Sequence, residues 1–289
     1  QRLGVDAKAA HAATPHLRIR PPGRWAALNL REVWNYRDLL MTLAWRDVKL
    51  RYRQTALGAL WVVFQPLMAA GIFTVIFGRV AQLGGGPIPY FVLSFAGMMA
   101  WGLFSGTVTK SSTCLIGNAH LVSKIYFPRL VLPLSTVFGV LIDFAVSFGL
   151  MAFLMASFRL VPPIEILLLP VWMLLLLMIA LGIGFFAAAL TVSYRDVQYV
   201  LPVMVQFLLY ASPVGYSLEK AMEKLPASFH WFFLANPLSG LLEAFRWSLL
   251  GMAPPPPGLL AYSAGFAFLV FILGAFSFRR MERNFADVI

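Results

Sequence analysis

Asp143 is an acid set inside the apolar run from Leu130 to Phe158, and it is the first place in this sequence where chemistry could begin. An ionisable side chain at that depth in a bilayer is costly and is a functional candidate by default. A proton relay needs several acids or histidines in series, and no second member accompanies Asp143. A hydrogen bond to a neighbouring helix is therefore the preferred account, with proton movement as the alternative. The other titratable groups make sparser constellations. His11, His16, His120 and His230 are scattered without metal-ligand spacing, so no metal is assigned. Glu219, Glu223 and His230 are the one outer grouping that a membrane-embedded glycosyl- or acyltransferase would use. Gly84 to Gly86 read as a flexible turn, because no helix start bearing a lysine follows to cradle a phosphate. There is no GxxxxGK[ST] loop and no Gly-Lys dipeptide, which leaves ATP chemistry to another chain. The single cysteine, Cys114, allows no intrachain disulfide.

The elements that must position these residues are membrane helices. Apolar residues make up 60% of the 289 and charged residues 12%, against roughly 45–50% and 25% in a soluble domain. The net charge of +11 does not indicate nucleic acid, because the basic residues sit at the ends of apolar stretches. Six segments approach the roughly 20 residues needed to cross a bilayer: Leu57 to Gly78, Pro89 to Thr109, Leu130 to Phe158, Ile164 to Val192, Val200 to Tyr216 and Leu259 to Phe278. With the N-terminus inside, 18 of the 23 Lys and Arg lie on the inner side and five on the outer, which fixes both termini in the cytoplasm. The fold expected is all-α and integral to the membrane, with six transmembrane helices per subunit. Residues 1–33 read as a variable cytoplasmic tail without the features of a secretory signal, 34–56 as an amphipathic interface helix, and 57–289 as the six-span domain.

The stretch Asn35 to Gln54 can turn Tyr36, Leu39, Leu40, Leu43 and either Trp45 or Val48 one way. Arg37, Asp38, Arg46, Asp47, Lys49, Arg51 and Arg53 then stay wet. Such a helix lies in the headgroup plane, its basic residues each contributing on the order of 1 kcal/mol toward anionic lipid. The sharper reading has this collar also guiding an anionic lipid-diphosphate, with Arg51 and Arg53 nearest the pore.

Between the fifth and sixth spans the chain is too apolar for an ordinary loop. Leu218 to Leu225 form one piece. A second begins with Asn236 as N-cap and Pro237 at the first helical position, and ends near Gly251, with Glu243 and Arg246 one turn apart. Two short re-entrant helices in the outer half of the membrane are the economical reading, and helices lying flat on the outer surface are the alternative.

From Arg37 to Leu67 the chain reads RDLLMTLAWRDVKLRYRQTALGALWVVFQPL. This resembles the membrane subunit of type-II ABC exporters that move polysaccharide or polyol phosphate, most of all the O-antigen export permeases. The likeness continues in order through NAHLVSKIYFPRLVLPL (Asn118 to Leu134), YRDVQYVLP (Tyr194 to Pro202), ASPVGYS (Ala211 to Ser217) and NPLSGLLEAFRWSLLG (Asn236 to Gly251). What the resemblance implies is a permease in the bacterial inner membrane, working as a homodimer. Two copies of a cytoplasmic nucleotide-binding subunit would carry the ATP and Mg, with no cofactor on this chain. The cargo would be a lipid-linked, O-antigen-like polysaccharide, with a teichoic-type polymer, capsule, drug or lipid as alternatives.

The resemblance also implies roles for residues. The loop from Lys110 to Arg129 would hold the coupling helix that docks on the ATPase, through Ser112, Leu115, Ile116, Asn118, His120, Leu121 and Lys124. Sugar rings stack on aromatic faces, so Trp61, Phe64, Trp101, Phe104 and Tyr210 are candidates for the path along with Arg51 and Arg53. Each of these aromatics equally suits lipid contact, helix packing or an interface belt.

Overall fold

A computed structural model describes residues 30–53, 58–80, 88–282 and 285, and among them there are helices and connections but no strand. In order these are α1 (Leu30–Asn35), α2 (Arg37–Arg53), α3 (Gly58–Phe73), α4 (Tyr90–Gly117), α5 (Ala119–Lys124), α6 (Val131–Ser157) and α7 (Leu169–Ser193). They are followed by α8 (Val197–Ala211), α9 (Leu218–Lys224), α10 (His230–Ala235), α11 (Pro237–Leu250) and α12 (Pro257–Met281). Past Phe73, α3 widens into π-helical turns over Thr74–Val80, and a tight turn of helix over Ile164–Leu168 leads into α7. Residues 1–29, most of the expected tail, lie outside the described residues, as do 54–57, where the interface helix was expected to hand over to the first span.

Among the described residues, four helices are long and apolar enough to cross a membrane: Tyr90–Gly117, Val131–Ser157, Ile164–Ser193 and Pro257–Met281. They correspond to the second, third, fourth and sixth expected segments. The first and fifth correspond to shorter apolar helices, Val63–Gly78 and Val197–Ala211. At 15 residues α8 is about 22 Å long, against a hydrocarbon core of about 30 Å. Pro202 sits inside it, within the first turns, and Pro213 follows its end, where the missing N–H cannot continue the helix.

The centre of the bundle is α7, which packs most extensively against α4 and α12, with α6 closing over α4. The α7–α12 contact is backbone to backbone. A Cβ on Gly274 would run into the Gly182 carbonyl, and one on Gly182 into the Val270 carbonyl. Where lipid tails are as apolar as Leu, such small-residue contacts hold helices together through close van der Waals approach.

The bundle has two distinct ends. At one, α1, α2, α5, the start of α6 and the last turns of α7 and α12 share an apolar cluster around Leu115, Leu130, Phe185 and Phe278. Charges latch the same end: Arg279 reaches Glu32 of α1 at 3.3 Å and Glu282 at 3.4 Å, and the Arg129 guanidinium donates to the Glu282 carbonyl at 2.7 Å. The first and last described helices therefore meet at one end. The other end is built from α9 to α11, the start of α12 and the first turns of α4.

Helix α2 keeps its expected apolar face, and the structure decides between two candidates for it. Val48 is buried with Leu43 and Ala44, whereas Trp45 is half exposed and sets its ring edge-on to Phe138 at 5.4 Å. Arg46 and Asp47, expected on the wet side, are half-buried and turn inward instead.

Candidate functional site

Asp143 has a charged partner. Its carboxylate lies 3.0 Å from Lys110 Nζ, which corrects the placing of Lys110 at the start of an inner loop. Lys110 is a residue of α4, whose helix runs on to Gly117 rather than stopping at Thr109. The side chains are 20% and 35% exposed. A carboxylate alone at this depth would be strongly disfavoured, and an ammonium one hydrogen bond away offsets much of that cost. The acid is thus held to a neighbouring helix by a hydrogen bond, and its donor is an ammonium group. Among the described residues no group of three His, Cys, Asp or Glu could hold a metal ion.

Below this pair, a cavity of about 260 Å³ opens between α2, α4 and α6, lined by Asp47, Val48, Lys110, Thr113, Asn118 and Thr136 among others. It sits beside the segment expected to couple to an ATPase, and that segment is not a single helix. Asn118 breaks it into the end of α4 and the six-residue α5. Ser112 and Leu115 are fully buried in α4, so they present nothing to a partner. Ile116, Asn118 and Leu121 are half-buried, while His120 and Lys124 face outward. Two residues past α5 were not singled out from sequence: Ile125 and Tyr126, 55% and 67% exposed. The signal was an apolar pair next to Lys124, although the neighbouring Phe127 and Leu130 are core.

The candidate path residues separate cleanly. Trp101 and Phe104 are buried in α4 with ring centroids 5.2 Å apart, so they are packing residues and line no path. Phe64 of α3 and Tyr210 of α8 are exposed at 46% and 60%. The side chains of Arg51, Arg53 and Trp61 lie outside the described residues.

At the far end, the link between α8 and α9 leaves carbonyls at the end of one helix and N–H groups at the start of the next without helical partners. Side chains of α4 and α11 take them up. Arg246, with no exposed surface, donates to the Pro213 and Val214 carbonyls at 2.8 and 3.2 Å and to Glu243 at 2.7 Å. Glu243 accepts in turn from the Leu218 backbone N–H at the start of α9. Tyr90 and Ser94 of α4 donate their hydroxyls to the Gly215 carbonyl at 2.7 and 3.2 Å. Asn236 accepts from the Leu238 N–H as the N-cap of α11, with Pro237 next as expected, and its Nδ2 donates to Ser212 Oγ at 2.8 Å. Gly97 makes room for the link, since a Cβ there would collide with the Val214 carbonyl oxygen. The pair read from sequence as a one-turn contact along α11 does form, and it is also a buried clamp on a different segment. Of the outer grouping, Glu219 and Glu223 point outward, and His230 shares a hydrogen bond with the Leu225 carbonyl at 3.1 Å.

Comparison with known proteins matches residues 38–250 to the ABC-2 type transporter family. The chain is 30% identical over 217 residues to the O-antigen export system permease protein RfbA of Myxococcus xanthus, covering 75% of this chain and 82% of that protein. It is 26% identical over 259 residues to the RfbA of Klebsiella pneumoniae, covering 87% and 95%. The polysialic acid transport protein KpsM of Escherichia coli is 24% identical over 242 residues, covering 82% and 91%. The matched span runs from α2 through α11 and takes in the Lys110–Asp143 pair, the α4–α5 junction and the Arg246 clamp, so this multi-pass helical chain belongs to the ABC-2 type transporter family of membrane proteins.

Proposed function

We propose that two copies of this chain form the conduit of an ATP-driven exporter that carries a lipid-linked, O-antigen-like polysaccharide across the bacterial inner membrane. The observation that carries this reading is the likeness, over most of the chain, to permeases named for O-antigen export. The conduit has six spans per subunit, with α3 and α8 as its short members and both termini in the cytoplasm. Helices α9 to α11 dip into the outer half of the membrane, where non-helical backbone must be enclosed by protein; the Arg246 clamp supplies that enclosure.

A second copy has a surface to meet. Helix α8 turns Tyr199, Val203, Phe207 and Tyr210 outward along one side, with Gln206 beside them donating to the Tyr210 hydroxyl at 3.3 Å. An amide and two phenols suit a water-filled, sugar-bearing path between copies better than lipid tails. A nucleotide-binding partner carries the ATP and Mg²⁺ and docks on the outward side of α5, at His120 and Lys124, with Ile125 and Tyr126 adjoining. Arg51 and Arg53 draw in the anionic lipid-diphosphate end.

Deleting the gene in its host strain tests the reading: lipid-linked glycan accumulates on the cytoplasmic side and surface glycan disappears, and both recover when the chain is restored with its ATPase. Normal surface glycan in the deletion strain overturns it. The likeness to a polysialic acid transport protein favours a capsule-type polymer as the second reading. Loss of capsule with intact O-antigen selects that one.

A further inference from the structure

Helix α2 and the junction of α4 with α5 meet through a polar joint that no step of the transport reading yet uses. Asn118 stands between the two helices at φ −121° and ψ 25°, outside the helical region. Its side-chain amide is engaged at both ends. Nδ2 donates to the Cys114 carbonyl in the last turn of α4 at 2.9 Å, and Oδ1 accepts from Arg46 Nη2 of α2 at 2.6 Å. Asp47 accepts from Arg46 Nε and Nη2 at 3.0 and 2.7 Å and so aims the guanidinium at Asn118. A bond from a charged donor is shorter and about twice as strong as a neutral one, which makes this a firm tie between elements far apart in sequence.

The surroundings of the tie are loose. The 260 Å³ cavity is lined by both Asp47 and Asn118, so side chains do not fill the space beside the contact. Gly117 is exposed, and a Cβ there would meet nothing within 4 Å. The glycine is not required by close packing; it leaves the backbone free to bend next to Asn118. A push on α5 can thus be absorbed at Gly117 or passed on, and the hydrogen bond decides which. Helix α2 packs along α6, so a displacement of α2 also reaches the face of α6 that carries Asp143.

We propose that the Arg46–Asn118 hydrogen bond, aimed by Asp47, is the joint that passes movement of α5 to the interface helix α2. Arg46 and Asn118 are positioning residues in this role. The inference rests on the reading of α5 as the docking segment for the ATPase.

The test uses the complete complex of this chain with its ATPase, reconstituted in liposomes with lipid-linked glycan, and reads glycan delivered per ATP hydrolysed. Asn118→Leu and Arg46→Met each lower that ratio about tenfold, Arg46→Met with ATP hydrolysis near the parent rate, and the double variant is no worse than either single one. Asn118→Asp keeps an oxygen for Arg46 and keeps the ratio. An unchanged ratio in either single variant, or losses that multiply in the double, overturns the joint. Lys124→Glu combined with His120→Glu reports on docking alone. If the ATPase still co-purifies fully with that variant, the docking reading fails and takes the joint's driver with it. Amide exchange over residues 40–49 of the parent complex needs no variant to fold: protection changes when a non-hydrolysable ATP analogue is added, and no change overturns the proposal.

Discussion

Arg246 carries a full charge into a place that water does not reach, and its neighbours determine whether the outer half of the bundle holds together. Glu243 and two carbonyls satisfy most of it, although Nε has no partner. Removing one member of a buried pair leaves the other charged and alone, so Arg246→Met is expected to destabilise the protein by about 3–5 kcal/mol. Thermal unfolding in detergent measures this. The Glu243→Leu, Arg246→Met double variant regains most of the loss, because two apolar side chains leave no orphaned charge; an unchanged midpoint in the single variant would mean the clamp is not structural. Asp143 shows the reverse lesson about charge. Its place inside a long apolar helix was legible, yet its partner was not, because a lysine that begins a polar stretch reads as the end of a span. Lys110 is a helix residue reaching toward the acid with a long flexible stem, and only the fold places the two in register.

At the scale of elements, hydrophobic runs located α4, α6, α7 and α12 well, and caps located α11 to the residue, since Asn236, Pro237 and Gly251 act through local backbone chemistry. What sequence missed was geometric. It merged the end of α4 and α5 into one coupling helix, because Asn118 breaks the helix through a side chain tied to α2, a contact between residues 72 positions apart. It offered Trp101 and Phe104 for a sugar path because aromatic content says nothing about which side of a helix faces its neighbours. The α7–α12 crossing gives a sharp test at this scale. Gly274→Leu must push the helices apart along their most intimate contact, with an expected cost of about 2 kcal/mol or more. Protein yield and monodispersity in detergent fall accordingly, whereas Gly265→Leu on the same helix, where a Cβ meets nothing within 4 Å, leaves both unchanged.

For the whole molecule, the latch of Arg279 to Glu32 and Glu282 gathers the first and last described helices at one end of the bundle. An even number of crossings is the expectation that follows from that arrangement. Cysteines introduced at Trp34 and Arg280 on a Cys114→Ser background are expected to react with an impermeant thiol reagent only after the inner membrane is opened. Labelling of just one of them in intact spheroplasts would break the topology. The same latch also imposes an order on biogenesis. Glu32 emerges from the ribosome well before its partner Arg279, and at 5–20 residues per second the gap is roughly 12 to 50 s. Throughout that interval the Glu32–Arg279 pair cannot form, so this latch closes only when the last helix has been delivered.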